Sequence, residues 1–127
     1  MKRSFPLVQL SREHHTALVL AKHARTCATN PAGAAALRQR IMAEHTADLL
    51  DHFATEEREL PGTLVPVAPE LILRLFEEHT QLRTLLKRIE TGDLTALPPF
   101  GELLAAHVRF EERELFPCFE SATGVAA

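Results

Sequence analysis

"HVRFEERELFP", residues 107–117, repeats a phrase that the chain carries earlier as "HFATEERELP", residues 52–61. Each copy starts with histidine, holds EEREL at the same offset and runs into a proline. The leucine, glutamate and arginine content suits a helix. On a helix, residues four apart lie one above the other on a single face. Each copy therefore sets an imidazole and a carboxylate one turn apart, His52 with Glu56 and His107 with Glu111. Arg58, Glu59, Arg113 and Glu114 fall mostly toward water.

Outward from these phrases, the chain divides at clusters of helix breakers. They are "TNPAG" at 29–33, "LPGTLVPVAP" at 60–69 and "TGDLTALPP" at 91–99. Proline suits a helix's first turn and glycine its end. Four segments remain, about 6–28, 31–60, 69–91 and 98–116, rich in Ala, Leu, Glu, Arg and Lys. Short connections between four helices predict an all-α, antiparallel up-down-up-down four-helix bundle. At 127 residues the expectation is one domain spanning 1–127.

The totals exclude several classes of function. A net charge of -3 leaves no basic footprint for nucleic acid. No apolar run approaches the roughly 20 residues of a membrane span. The opening "MKRSFPLVQLSREHH" turns polar too early for a secretory signal. Cys27 and Cys118, far apart and outside any CxxC pattern, read as reduced thiols, and the chain as cytoplasmic.

Seven histidines, with no tryptophan or tyrosine, are the unusual part of the composition. Helix 3 has the stripe Ile72, Leu75, Phe76, His79, Leu82, Leu86, Ile89, and helix 4 has Phe100, Leu103, Leu104, His107, Glu111, Leu115. Helix 2 contributes Ile41, His45, Leu49, His52, Glu56, Leu60, and helix 1 Leu7, Leu10, His14, Ala17, Leu18, Ala21. Every apolar stripe is thus interrupted by histidine, and two of them by glutamate as well. One histidine on an apolar face is ordinarily a core residue satisfied by a hydrogen bond. Two carboxylates in one small core are another matter: unpaired, each costs several kcal/mol of desolvation. No lysine or arginine shares their stripes, so a metal cation is the expected counter-charge. Antiparallel pairing brings His14, His52, Glu56, His79, His107 and Glu111 to one depth. Six ligands with two carboxylates able to bridge suit two metals better than one. Imidazole and carboxylate without thiolate suit iron, manganese or zinc. The chain lacks ExxH, the ligand pair of ferritin-like bundles, and the HExxH of zincin proteases.

"EHH", "HFATEE", "EEHTQL" and "HVRFEERELFP", one per helix in that order, resemble the hemerythrin-like, or HHE cation-binding, family. The resemblance covers nearly the whole chain. It implies a non-haem di-iron centre bridged by two carboxylates and an oxo or hydroxo group. The ligands it implies are His14, His52, Glu56, His79, His107 and Glu111. Oxygen-carrying members have HxxxH on the third helix, whereas Leu75 stands four before His79 here. This is similar to the four-histidine, two-glutamate version, which leaves more open positions for reaction or sensing. Oxygen carriers place the fourth-helix acid five residues after its histidine, a position held here by Glu112. Glu111 is preferred because it mirrors Glu56. Helix 1 offers two histidines. His14 continues its stripe and follows an acid, as His79 does, while His15 aligns when "HTAL" is matched to "HTQL". His45 reads as a core histidine or as a partner orienting a ligand, and His23 as a surface residue.

The function expected is a di-iron binding protein that meets O2, NO or peroxide, or handles iron. A di-iron peroxidase or oxidase is the alternative, and a metal-free helical interaction module the second. No further inward acid, base or nucleophile stands ready to position an organic substrate, which ranks binding ahead of catalysis. The expected partners are a small diatomic ligand or peroxide, with no nucleic acid and no membrane. The oligomeric state is open between monomer and homodimer.

Overall fold

A computed structural model of the chain describes residues 7–27 and 30–124. The ends expected at residues 6 and 28 for the first helix lie outside them. Four helical rods form the structure. The first is α1 (Leu7–Thr26). The second joins α2 (Pro31–Arg40) to α3 (Thr46–Glu59) through a wider π turn, Ile41–His45. A short helix, α4 (Pro61–Leu64), leads to the third rod, α5 (Pro69–Glu90). After a 3₁₀ turn at Leu94–Ala96, α6 (Leu97–Phe110) continues through a second π turn, Glu111–Leu115, into α7 (Phe116–Thr123). Consecutive rods run antiparallel, and neighbours touch around a closed square: α1 on α3, α3 on α5, α5 on α6, α6 on α1. Among the described residues no helix is long and apolar enough to cross a membrane.

Local chemistry sets the rod ends. The Asn30 side chain accepts from the Gly33 backbone N–H, and Pro31 opens the first turn of α2. The Asp93 carboxylate caps the 3₁₀ turn through the Thr95 N–H. Gly92, at φ 97°, makes the left-handed step after α5 that a side chain would resist. Arg38 crosses from α2 to the far end of α5 and donates to the Ile89 and Glu90 carbonyls. It thereby adds a second donor to the Ile89 carbonyl, which already accepts from the Gly92 N–H, and engages the Glu90 carbonyl at the helix C-terminus.

The two π turns keep the rods in phase with the core. Ile41 and Leu49 are both buried and eight residues apart, where two α turns take about seven. The π turn between them absorbs the surplus residue, with the Thr46 N–H reaching the Ile41 carbonyl. In the fourth rod the Phe116 N–H likewise bonds the Glu111 carbonyl. The helix expected to stop at 116 therefore continues to Thr123. Pro117, which has no N–H and would crowd a carbonyl of the preceding turn, sits in the first turn of α7, where neither matters. The periodicity errs at two stripe edges: Leu18 and Phe76 are each 40% exposed, and Leu20 takes the inward place on α1.

The apolar core is in two parts. One gathers Leu20, Ile41, Leu49, Phe53, Leu86 and Phe100 with their neighbours. The other gathers Leu7, Leu10, Leu60, Leu75, Phe110 and Phe116. In every rod the residues between these two parts are the buried histidines and glutamates. A polar layer thus crosses the bundle, with apolar packing above and below it.

The close α1–α6 crossing depends on Gly101. A Cβ there would sit 2.6 Å from the Ala21 carbonyl oxygen and 2.9 Å from the Arg25 backbone nitrogen. Both are backbone atoms that cannot rotate away. Gly101→Ala gains about 1 kcal/mol of helix propensity but overpacks the crossing, at a cost of about 1–3 kcal/mol. We expect a net loss of stability on urea denaturation, and an unchanged or raised midpoint would show that the crossing is looser than described.

Candidate metal centre

The polar layer contains His14, His52, Glu56, His79, His107 and Glu111, all buried. Their ligand atoms form two groups, in each of which every atom lies within 4.8 Å of the others. One group is His14, His52, Glu56 and Glu111. The other is His79, His107, Glu56 and Glu111. Both carboxylates belong to both groups, and each group adds one histidine pair. His14 Nε2 is 2.7 Å from Glu111 Oε1, and His79 Nε2 is 2.9 Å from Glu56 Oε1. His52 Nε2 stands 3.2 Å from Glu56 Oε2, and His107 Nε2 3.1 Å from Glu111 Oε2.

These last two separations suit ion pairs but not aligned hydrogen bonds. Glu56 Oε2, Glu111 Oε2 and His107 Nε2 are left buried without a hydrogen-bond partner. Orphaned buried polar atoms are uncommon in folded proteins, because each forfeits its hydration. Here the three atoms are two carboxylate oxygens and a ring nitrogen, all on residues of one ligand group. A cation, which supplies the missing partner for oxygen and nitrogen at once, fits this donor set.

The second nitrogen of each ring is also engaged. His14 Nδ1 donates to Glu112 at 2.7 Å, His52 Nδ1 to Glu13 at 2.7 Å, His79 Nδ1 to Glu57 at 2.7 Å and His107 Nδ1 to Glu78 at 2.6 Å. Such a bond fixes the tautomer, leaves the Nε2 lone pair aimed inward and strengthens the nitrogen as a donor. Every one of these bonds passes between neighbouring rods. Glu13 of α1 serves α3, Glu57 of α3 serves α5, Glu78 of α5 serves α6, and Glu112, next to α6, serves α1. A closed ring of four carboxylates results.

The ring has its own support. Arg83 grips Glu57 with both guanidinium nitrogens, at 2.8 and 3.0 Å. Arg74 bonds Glu78 at 2.9 Å and stacks over the Phe110 ring at 4.1 Å. Ser11 donates to Glu112, and Gln9 to Glu13. The imidazoles are wedged by aromatic rings as well. Phe116 stacks on His14 with centroids 5.4 Å apart, and Phe53 on His79 at 4.5 Å.

The electrostatics are those of a site prepared for positive charge. Burial works against a charged His52, but the charge of Glu56 together with Glu111 outweighs it and holds the pKa at about 11. Burial likewise opposes protonation of His14 and His107, and the adjoining carboxylates raise both nonetheless. Burial alone would raise Glu111, yet His107 and its other partners keep its carboxyl well below the usual range. Without metal, protons on His14, His52 and His107 offset the carboxylate charge, and an entering cation must displace them.

All six residues singled out by the sequence stand in this layer. Of the paired alternatives, His15 is exposed, and Glu112 lies on the outer side of His14. His45 is half-buried and lines a cavity beside the layer, and His23 is exposed, facing Arg40 at 3.3 Å. Leu75, fully buried, fills the position where oxygen carriers have their extra histidine. The outer carboxylates are not singled out by the stripes, apart from Glu112 as an alternative inner ligand. Glu57 and Glu112 instead face histidines. A signal for them exists: each outer glutamate adjoins a residue of the inner set, as EH at 13–14 and 78–79 and as EE at 56–57 and 111–112.

Removing an outer carboxylate should loosen the centre without emptying it. For Glu78→Ala and Glu13→Ala we expect metal affinity to fall about 10- to 100-fold, measured by competition with a chelator, with helix content retained. Affinity unchanged in both would show that the ring does not support the inner histidines.

A family model described as the hemerythrin HHE cation-binding domain matches residues 6–119. Comparison with curated proteins and with solved structures gives no match. The matched span contains all six inner residues and the four glutamates that buttress them, and the chain belongs to the hemerythrin HHE cation-binding family.

Proposed function

We propose that the protein is a cytoplasmic non-haem di-iron protein that binds or reacts with O2, NO or peroxide, or handles iron. In this reading His14 and His52 hold one iron and His79 and His107 the other. Glu56 and Glu111, which belong to both groups, would serve both metals. The observation that carries it is the double membership of Glu56 and Glu111 in two otherwise separate histidine pairs. Two divalent cations also match the chemistry of the layer better than two carboxylates left to protonated imidazoles, with three atoms unpartnered.

When bound, iron supplies the redox chemistry and the open position at which a small ligand is met. The chain's own part is fourfold. The histidines present Nε2 inward, while Glu13, Glu57, Glu78 and Glu112 hold the Nδ1 protons and fix the rings. Glu56 and Glu111 neutralise the metal charge from inside the bundle. Phe116 and Leu75, in the cluster on one side of the layer, keep bulk water from that side, while Phe53 stacks on His79. With two histidines on each half and Leu75 contributing none, the ligand set is short of six donors per metal. That suits reaction or sensing more than a saturated structural site.

A peroxidase- or oxidase-type enzyme has one observation in its favour, the cavity that opens beside His14 and His52. A metal-free interaction bundle would have to leave the orphaned atoms of the layer without a purpose.

The test is metal content with a spectrum. Protein prepared without oxygen in ferrous iron should hold close to two irons per chain, and its visible absorption should change on exposure to air or NO. Glu56→Ala and Glu111→Ala should each lose most of the iron, while Glu59→Ala and Glu114→Ala should keep it. Less than a tenth of an equivalent of any transition metal in the unaltered protein would end this reading.

A further inference from the structure

Beside the polar layer lies a cavity of about 220 Å³, bounded by α1, the second rod and α6. It begins at His14, His52, His107 and Glu111 and runs toward one end of the bundle. Its lining reaches Leu20, six residues beyond His14, and His45, seven before His52. At 1.5 Å per residue that is roughly 10 Å of depth. Ala17, Leu20, Leu49, Phe53, Leu104 and Val108 give it apolar walls. Thr16 and Asp48 are exposed and, with Glu13 and the half-buried His45, form the polar edge between α1 and the second rod. His45 is also the last residue of the π turn, so the helix is irregular at the cavity's far end, and π turns recur beside functional sites.

The size decides what such a space could take. An apolar cavity of about 150 Å³ already accepts benzene. An oxygen ligand at the metal layer displaces only about 30 Å³, so a diatomic molecule or hydrogen peroxide would leave most of this volume unfilled. By the benzene comparison the cavity is large enough for a phenyl ring with a short branch. The charge decides which kind. Glu13 and Asp48 stand at the edge and no lysine or arginine lines the cavity, so an anion meets repulsion where it enters; the raised histidines lie only at the inner end, each paired with a buried carboxylate.

From these observations we propose that the cavity is a binding site for a neutral organic molecule of up to about ten heavy atoms. Its apolar body lies among Leu20, Leu49, Phe53 and Leu104. A hydroxyl or hydroperoxyl head is directed at the layer between His14 and His52. The direction of the head rests on the metal reading above; the body's site rests on the cavity alone.

The experiment uses benzyl alcohol and 2-phenyl-2-propanol as unreactive probes on zinc-loaded and on metal-free protein, followed by NMR titration. Both alcohols should bind saturably at one per chain, and benzoate at least tenfold more weakly. Ala17→Leu, which extends a side chain into the cavity, should weaken the alcohols at least tenfold while zinc content and helix content stay unchanged. Asp48→Asn, an exposed change that leaves the packing alone, should narrow the gap between benzoate and alcohol. Absence of saturation up to the solubility limit, or equal binding by Ala17→Leu, would overturn the proposal, as would benzoate binding as well as benzyl alcohol. Alcohol binding by a protein that takes up no metal would support the pocket and defeat the metal reading; metal uptake without alcohol binding would do the reverse.

Discussion

Two glutamates with no exposed surface, one turn after a histidine on each of two rods, are the constraint from which the rest follows. A buried carboxylate without a counter-charge is among the costlier features a small core can contain. Among the described residues the ion-pair partners of Glu56 and Glu111 are imidazoles, with no lysine or arginine. Their protons serve as a temporary counter-charge, and the three unpartnered atoms show how incompletely they do so. Most other features of the middle of the bundle can be understood as arrangements for keeping these two groups charged, ordered and shielded from water.

The outer ring of glutamates gives this polar layer a structural role as well. Because each bond joins one rod to the next, the four together fix the relative height of all four rods at one level. Apolar packing above and below is less directional, since a leucine can slide against its neighbour at little cost. A carboxylate 2.6–2.7 Å from a ring nitrogen cannot. The layer therefore sets the register, and the two hydrophobic clusters supply the bulk of the burial. Arg74 and Arg83 extend the network outward to the bundle surface, where each also rests over a phenylalanine ring.

Much of this could be read from the sequence, because helices impose a strict period and histidine on an apolar stripe stands out against it. Four helices, their breakers and the six inner residues all follow from spacing. What periodicity could not resolve is the edge of a stripe, where Leu18 and Phe76 turn to solvent. Nor could it resolve the outer carboxylates. Glu57 and Glu112 each sit one residue round from an inner glutamate, and whether that direction meets water or a neighbouring histidine depends on how the rods are placed. The doubled phrase shows the limit most clearly. In the first copy Glu56–Glu59 is ordinary α-helix, while in the second the same EEREL forms a π turn. Identical residues take two conformations because one rod ends at its proline and the other continues through it.

The account stands or falls on whether the two histidine pairs hold separate metal ions through the same two carboxylates. An anomalous difference map from iron-loaded crystals, recorded at the iron edge, tests this directly. The account predicts two peaks about 3.5–4 Å apart, one against His14 and His52 and one against His79 and His107, with Glu56 and Glu111 touching both. A single peak, or two peaks that share neither carboxylate, would contradict it.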